Sequence, residues 1–238
     1  MWDGKTVSVI FPAYNEEKSI LRAIEDFRRN AVVDEVLVVD NNSTDRTAAL
    51  VTSAGTRLVS ESRQGYGYAL RRGLQEAAGD LMIMAEPDGT FVGRDVYKLL
   101  AYAEDFDMVC GTRTTKELIW GSANMKWFLR IGNLVVAKLL EVLFSGPSLT
   151  DCGCTLRLLR KEMLAVILPE CTVGDSHFLP ELVILGLKHG FRIIEVPVNY
   201  RGRIGVSKIT GDLRGAVKTG LKMIGLTLQY RLLGKPVV

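Results

Sequence analysis

Short apolar runs alternate with stretches of helical periodicity along the first ninety positions. Thr6–Phe11 (TVSVIF), Glu35–Val39 (EVLVV), Arg57–Ser60 and Leu81–Ala85 have the length and β-branched content of strands. Pro12 is expected to stop the first of them. From Glu16-Glu17 onward, Ile20, Ile24 and Phe27 share one helical face while Arg22, Glu25 and Arg29 lie elsewhere. A second helix is expected to run to about Ala54 and a third over Gly65–Ala78. Asn15 is predicted to cap the first helix, and Ser43 or Thr44 the second. The order β-α-β-α-β-α-β with short links predicts an α/β fold: a mostly parallel, doubly wound central sheet with right-handed crossovers, flanked by helices.

Each strand ends in polar residues: Tyr14 and Glu16, then Asp40 and Asp45, then Glu86 and Asp88. Open α/β sheets bind ligands at the carboxyl ends of their strands. Acids gathered on one edge repel one another unless a cation or a donor ligand joins them. Glu86-Pro87-Asp88 sets two carboxylates around a residue of fixed φ, and Gly89 lets the chain turn away. Two hard oxygen donors at that place suit Mg²⁺ or Mn²⁺ bridging to a diphosphate. Neither GxGxxG nor GxxxxGK[ST] occurs, which argues against a dinucleotide cofactor and a P-loop nucleotide.

The second half changes pattern. Lys126–Phe144 is apolar nearly all the way round but carries Arg130, Asn133, Lys138 and Glu141, too many polar groups for a bilayer span. It reads either as a buried helix or as one lying at an apolar substrate and a bilayer surface. Ser207–Leu233 sets Ile209, Leu213, Ala216, Val217, Ile224 and Leu228 on one helical face, with Lys208, Lys218 and Lys222 opposite. The net charge is +3 over 238 residues, yet Arg201–Val238 holds eight basic residues against Asp212 alone. A basic amphipathic helix is the pattern of an interfacial anchor, so an anionic membrane surface is the expected partner and a peripheral, cytoplasmic-face location the expected site. The expected division is a catalytic domain over 1–207 and a basic helical tail over 208–238, with an integral-membrane partner left open. Nucleic acid is not expected, because aromatic residues are not interleaved with the basic ones.

Apolar residues make up 47% and charged residues 24% of the chain, the balance of a folded protein. Four cysteines without a CxxC pair and two separated histidines argue against a zinc site or a disulfide framework. The start, Met-Trp-Asp-Gly-Lys, has no apolar core of a signal peptide.

Four motifs in order carry a family resemblance: VIFPAYNEE (9–17), VVDNNSTD (38–45), GYGYALRRG (65–73) and EPD (86–88). They resemble family 2 inverting glycosyltransferases of GT-A fold. VCGTR (109–113), RIGN (130–133) and EVPVNYRGRIGVSK (195–208) extend the likeness toward dolichyl- and polyprenyl-phosphate mannose (hexose) synthases. The resemblance implies that Pro12, Tyr14, Glu16, Asp40, Asn42, Gly65, Glu86 and Asp88 bind the nucleotide sugar. It implies that Glu86 and Asp88 hold Mg²⁺ or Mn²⁺, and that Arg113, Arg130, Arg203 and Lys208 bind an acceptor phosphate. Asp88, Arg113, Arg130 and Arg203 form the implied catalytic set. The implied reaction moves a hexose from GDP-mannose or a UDP-hexose to a polyprenyl or dolichyl phosphate, with inversion. The chain departs from the family at Glu86, where aspartate is usual, and at Thr155, which stands for a glycine in DCGCTLR (151–157); the resemblance assigns Arg157 no settled role.

Hydroxyl-modifying relatives carry an [ED]-D base pair before a helix, whereas this chain reads SHFLPEL over 176–182. That favours a phosphate acceptor, already ionised, over a hydroxyl needing a general base. Asp175 and His177 keep a saccharide or other hydroxyl acceptor as the alternative, and Glu86 in the metal motif keeps a non-catalytic nucleotide-sugar-binding protein as a third reading.

Overall fold

The computed structural model describes residues 1–121, 123, 127–205 and 213–234. Its elements in chain order are β1 (Val7–Ala13), α1 (Ile20–Arg28), β2 (Glu35–Asp40), α2 (Thr47–Ser53), β3 (Arg57–Ser60), α3 (Tyr66–Glu76) and β4 (Leu81–Met84). There follow α4 (Val96–Leu100), β5 (Met108–Thr112), α5 (Trp127–Phe144), β6 (Arg157–Arg160), α6 (Lys161–Ile167), α7 (Phe178–Lys188), β7 (Ile193–Pro197) and α8 (Leu213–Leu233). The described strands form one sheet in the order β3-β2-β1-β4-β6-β5-β7. All pairings are parallel except those of β6, which runs antiparallel between β4 and β5.

Both faces of the sheet are covered, so alternate side chains of one strand enter different cores. Ile10 joins the cluster under α3, α5, α6, α7 and α8, while Val7, Val9 and Phe11 join the one under α1 and α4. Met82 and Met84 divide from Leu81 and Ile83 in the same way. This two-sided burial explains why the strands read as continuous apolar runs.

Several expected boundaries move. Pro12 does not stop β1, because the strand continues through Ala13 beside Asp40. Asn15 does not cap α1, which begins at Ile20; at φ +54° its Oδ1 turns across to accept from the backbone of Thr44 at 2.7 Å. Neither Ser43 nor Thr44 caps α2. Ser43 Oγ accepts from the Asn15 backbone, and Asp45 Oδ1 accepts from the Thr47 backbone. The caps expected along the chain are thus replaced by bonds between the loops after β1 and β2.

Arg157, the first residue of β6, is fully buried, and its guanidinium donates to the carbonyls of Cys152, Cys154 and Leu179. All four cysteines are free and buried. Among the described residues, no helix is long and apolar enough to cross a membrane. The stretch 207–212 of the expected last helix lies outside the described residues. From Leu213 the helix packs on α5 and α7, and Met223, Leu226 and Tyr230 enter the same core as α3.

Candidate active site

The carboxyl ends of β1, β2 and β4 meet at one edge of the sheet, and the loop after β7 folds over them. Two backbone bonds fasten that loop to the turn after β4: Arg201 donates to Thr90 O and Ile204 to Asp88 O, each at 2.8 Å. Gly89 makes the turn possible, with φ +81° and Ile204 Cδ1 only 3.0 Å from where a Cβ would lie. A buried Asp95–Asn199 contact fixes the start of the loop, the Asn199 side-chain amide donating to Asp95 Oδ1 at 2.8 Å.

Asp88 is fully buried. Its Oδ1 accepts from the Thr90 backbone and hydroxyl, at 2.9 and 2.6 Å. Its Oδ2 stands 3.2 Å from Arg203 Nη1 without the alignment of a hydrogen bond. The same guanidinium reaches Glu16 at 3.4 Å and Glu86 at 3.9 Å. Burial works against the Arg203 charge, but Asp88, Glu86 and Glu16 hold its pKa above the ordinary value.

Glu86 directs its second oxygen to other partners. Its Oε1 accepts from Thr155 Oγ1 at 2.8 Å and from the Tyr66 hydroxyl at 3.2 Å. The two departures from the family pattern therefore touch: the longer acid and the threonine in place of glycine form one hydrogen bond. Burial, and then the neighbouring Asp88 charge, push the Glu86 carboxyl up to about 7. The folded protein thus binds this proton more tightly than the unfolded chain, whose ordinary value is 4.5. The associated stability is fully present below that value and is lost as pH rises through about 7. Glu86→Gln should remove this loss, so parent and variant denaturation midpoints should diverge between about pH 5 and pH 8, the parent falling. Parallel midpoints would assign the buried proton elsewhere.

The nucleotide-side residues gather around the first three strands. Asp40 ends β2, and its Oδ1 is buried with no hydrogen-bond partner. Asn41 spans the next loop, donating to Glu61 O and Arg63 O and accepting from the Gly65 backbone at 2.8 Å. Asn42, at φ +63°, donates to Ser62 O. Gly65 itself admits no side chain, since a Cβ would meet Gly174 O at 2.2 Å. Pro12 is buried in β1, and Tyr14 is exposed just beyond it.

Arg113 follows β5 and is held bidentately by Asp151, at 2.7 and 2.8 Å, with its guanidinium carbon 5.2 Å from the Tyr200 ring centre. Burial alone would raise the Asp151 carboxyl, but the Arg113 charge keeps it below its ordinary value. Arg130 Nη2 donates to Thr114 O at 3.0 Å, so α5 leans on the loop after β5. Lys208 lies outside the described residues.

Sequence reading gave no site role to Thr90, Tyr66, Thr155, Asn41 or Asp151. Only Thr90 had a local signal, because a threonine two residues after an aspartate is a common turn-forming pair. The others come from separate elements. Asp175, a candidate base of the hydroxyl-acceptor reading, pairs with Lys222 at 2.6 Å. Glu181 is fully engaged with Thr172, Val173 and Tyr230.

Among the described residues no three acidic, histidine or cysteine side chains converge as a metal cage. Glu86 and Asp88 fit a cation that takes one or two protein carboxylates and completes its shell with substrate oxygens. Oδ2 of Asp88, which faces Arg203 but makes no hydrogen bond, is an available metal ligand.

The profile of glycosyl transferase family 2 matches residues 8–168. An uncharacterized glycosyltransferase of Mycobacterium tuberculosis is 33% identical over 222 residues, covering 90% of this chain and 94% of that protein. A dolichyl-phosphate hexose transferase of Haloferax volcanii is 30% identical over 230 residues, covering 95% and 96% of the two chains. Among solved structures, glucosyl-3-phosphoglycerate synthase from Mycobacterium tuberculosis, in complex with Mn²⁺, uridine diphosphate and phosphoglyceric acid, aligns with a TM-score of 0.75. That alignment spans 98% of this chain and 80% of that one at 22% identity, and shows likeness of fold.

Proposed function

The chain belongs to glycosyl transferase family 2 and is a glycosyltransferase of GT-A fold, and from that premise we propose that it transfers a hexose from a nucleoside diphosphate sugar to a polyprenyl phosphate, with inversion. The observation that carries the reading is Asp88: a fully buried carboxylate at a strand end, with one oxygen held and the other without a hydrogen bond. That oxygen faces only the Arg203 guanidinium, without a hydrogen bond, and is placed to ligate a cation that takes few protein carboxylates. Glu86 and Asp88 would hold Mg²⁺ or Mn²⁺, which supplies positive charge to the departing diphosphate. The relative named for transfer to dolichyl phosphate supports the acceptor class.

The chain's own residues divide the remaining work. Asp40 accepts from the base or ribose, beside Pro12, Tyr14, Glu16, Asn42 and the close-packed Gly65. Arg203, with Arg130 and Lys208, binds the acceptor phosphate, and arginine suits that role through its planar fork of donors. Arg113 contributes charge from a position fixed by Asp151. No general base is required, because a phosphate monoester is ionised at neutral pH. Consistently, Asp175 is neutralised by Lys222. Offering a panel of GDP- and UDP-sugars with polyprenyl phosphate, polyprenol and free sugars, and following lipid-linked product, tests the reading and names the donor. Transfer to a hydroxyl alone would replace it with the hydroxyl-acceptor alternative.

Asp40→Ala should weaken nucleoside diphosphate binding by about 1–3 kcal/mol through loss of a charge-assisted hydrogen bond. Calorimetry on parent and variant reads this directly. Equal affinities would move the nucleotide away from β2.

A further inference from the structure

Residues 150–153 (Thr-Asp-Cys-Gly) form a short loop before β6, and three of the segments that carry the family likeness meet on it. Asp151 holds the Arg113 guanidinium that follows β5. Gly153 lies against α5, with Asn133 Oδ1 2.5 Å from where a Cβ would stand. The third contact is Glu195 of β7. Its Oε1 accepts from the backbones of Asp151 at 2.8 Å and Thr150 at 3.0 Å. Its Oε2 accepts from the Thr150 backbone at 2.9 Å and from the Thr150 hydroxyl. Among the described residues no cation pairs with Glu195, so its charge goes to these donors alone.

The clamp reaches two arginines. Asp151 is fixed through its own backbone N–H, and its buried carboxylate gives Oδ2 to Arg113 Nε at 2.7 Å and Oδ1 to Arg113 Nη2 at 2.8 Å. The Arg113 backbone also donates to Asp151 at 3.1 Å. Thr150 closes a ring of three hydroxyls with Thr112 and Thr114, whose sides are 2.9, 2.9 and 3.0 Å. Because Glu195 takes the Thr150 hydrogen, Thr150 Oγ1 is left to accept from the other two. Thr112 and Thr114 flank Arg113 in the chain, and Thr114 O accepts from Arg130 Nη2 at 3.0 Å. One carboxylate thus sets both the seat of Arg113 and the peptide to which Arg130 is fastened.

We propose that Glu195 is a positioning residue for the acceptor phosphate: it holds the Thr150–Asp151 backbone so that Arg113 and Arg130 present their charge to one anion. The proposal rests on the polyprenyl-phosphate reading only for the identity of that anion. The place requires an ionised carboxylate. Two backbone N–H groups and a hydroxyl converge on it, and both of its oxygens receive them. An amide of the same size offers one acceptor oxygen and sets N–H donors against N–H donors. The chain that follows β7 supports the same arginine from another side, since the Tyr200 ring centre lies 5.2 Å from the Arg113 guanidinium carbon. Glu195 acts through Thr150 and Asp151, and the arginines act on the substrate.

Steady-state kinetics of Glu195→Gln separate this role from simple bracing of β7. The KM for polyprenyl phosphate should rise about tenfold or more, while the KM for the sugar nucleotide stays within about twofold. Thr150→Val keeps the backbone clamp and removes the hydroxyl, so it should raise the acceptor KM by a smaller factor; Thr150→Ser should recover that loss. Thr150→Val carries the kinetic test alone if Glu195→Gln does not fold. Added guanidinium, below denaturing concentrations, should restore transfer to Arg113→Ala but not to Arg113→Ala with Glu195→Gln. The Nε–H resonance of Arg113, identified by its loss in Arg113→Lys, reads the seat with no substrate present. It should exchange slowly with solvent in the parent and rapidly in Glu195→Gln. Unchanged acceptor KM in either variant, equal rises in both KM values, equal guanidinium rescue, or slow exchange in Glu195→Gln would each overturn the proposal. A parent that transfers to no lipid phosphate would count against the functional reading alone, and the Arg113 resonance would then decide the role of Glu195.

Discussion

Asp88→Ala should lower glycosyl transfer on the order of a thousandfold, the scale on which removing one charge-stabilising group from a reaction centre acts. The chain should still fold, because Asp88 holds only Thr90 and the Arg203 pair rather than a core contact. Stabilisation of the protein by nucleoside diphosphate should cease to depend on Mg²⁺ or Mn²⁺, a readout independent of turnover. Glu86→Asp should retain measurable transfer. It keeps a carboxylate at the strand end but draws it back from Thr155 and Tyr66, which now hold Glu86 Oε1. Parent-like turnover by Asp88→Ala would remove the cation from this turn.

The second large effect concerns the acceptor. Polyprenyl phosphate should be glycosylated while the matching alcohol is not, and Arg203→Ala should depress that transfer about a hundredfold or more. Arg203 differs from a surface arginine in that three acids, Glu16, Glu86 and Asp88, surround it. Its removal leaves those carboxylates without their guanidinium, so the half-saturating Mn²⁺ concentration should fall even as the maximal rate falls. A residue that merely braced the loop would lower the rate and leave the metal requirement unchanged. Arg130→Ala should depress transfer with no change in metal requirement, since Arg130 contacts Thr114 O and none of the three acids. Equal losses of donor affinity and transfer in Arg203→Ala would assign the residue to the donor instead.

The seating of Glu86 bears on both predictions. A glutamate carries its carboxylate one methylene farther than an aspartate, and here Thr155 and Tyr66 receive it. Two departures from the family pattern, far apart in sequence, are one local adjustment in space. It leaves Asp88 as the carboxylate nearer to Arg203, at 3.2 Å against 3.9 Å.

The alternation of apolar runs and helical periodicity was sufficient for the first half of the fold. Period-two burial on both faces and short links leave few topologies other than a mostly parallel sheet, with β4 as its middle strand. The acids at the ends of β1, β2 and β4 were legible for the same reason: a strand's last residue emerges at its carboxyl edge whatever packs beside it. What the sequence could not determine depends on partners distant in the chain. β6 offers only Leu158 and Leu159 between arginines, too short a pattern to announce itself, and it becomes a strand because β4 and β5 flank it on both sides. Asn15 had the form of a helix cap, but the backbone of Thr44 lies within its reach and takes the bond instead. Arg113 and Arg203 read alike as cations for phosphate, yet one is committed to Asp151 and the other stands among three acids. α8 read as one basic amphipathic surface, and the buried acceptor Glu181 turned part of it inward. Local periodicity determines which residues can be buried; which buried polar group meets which partner is decided only when the sheet has brought them together.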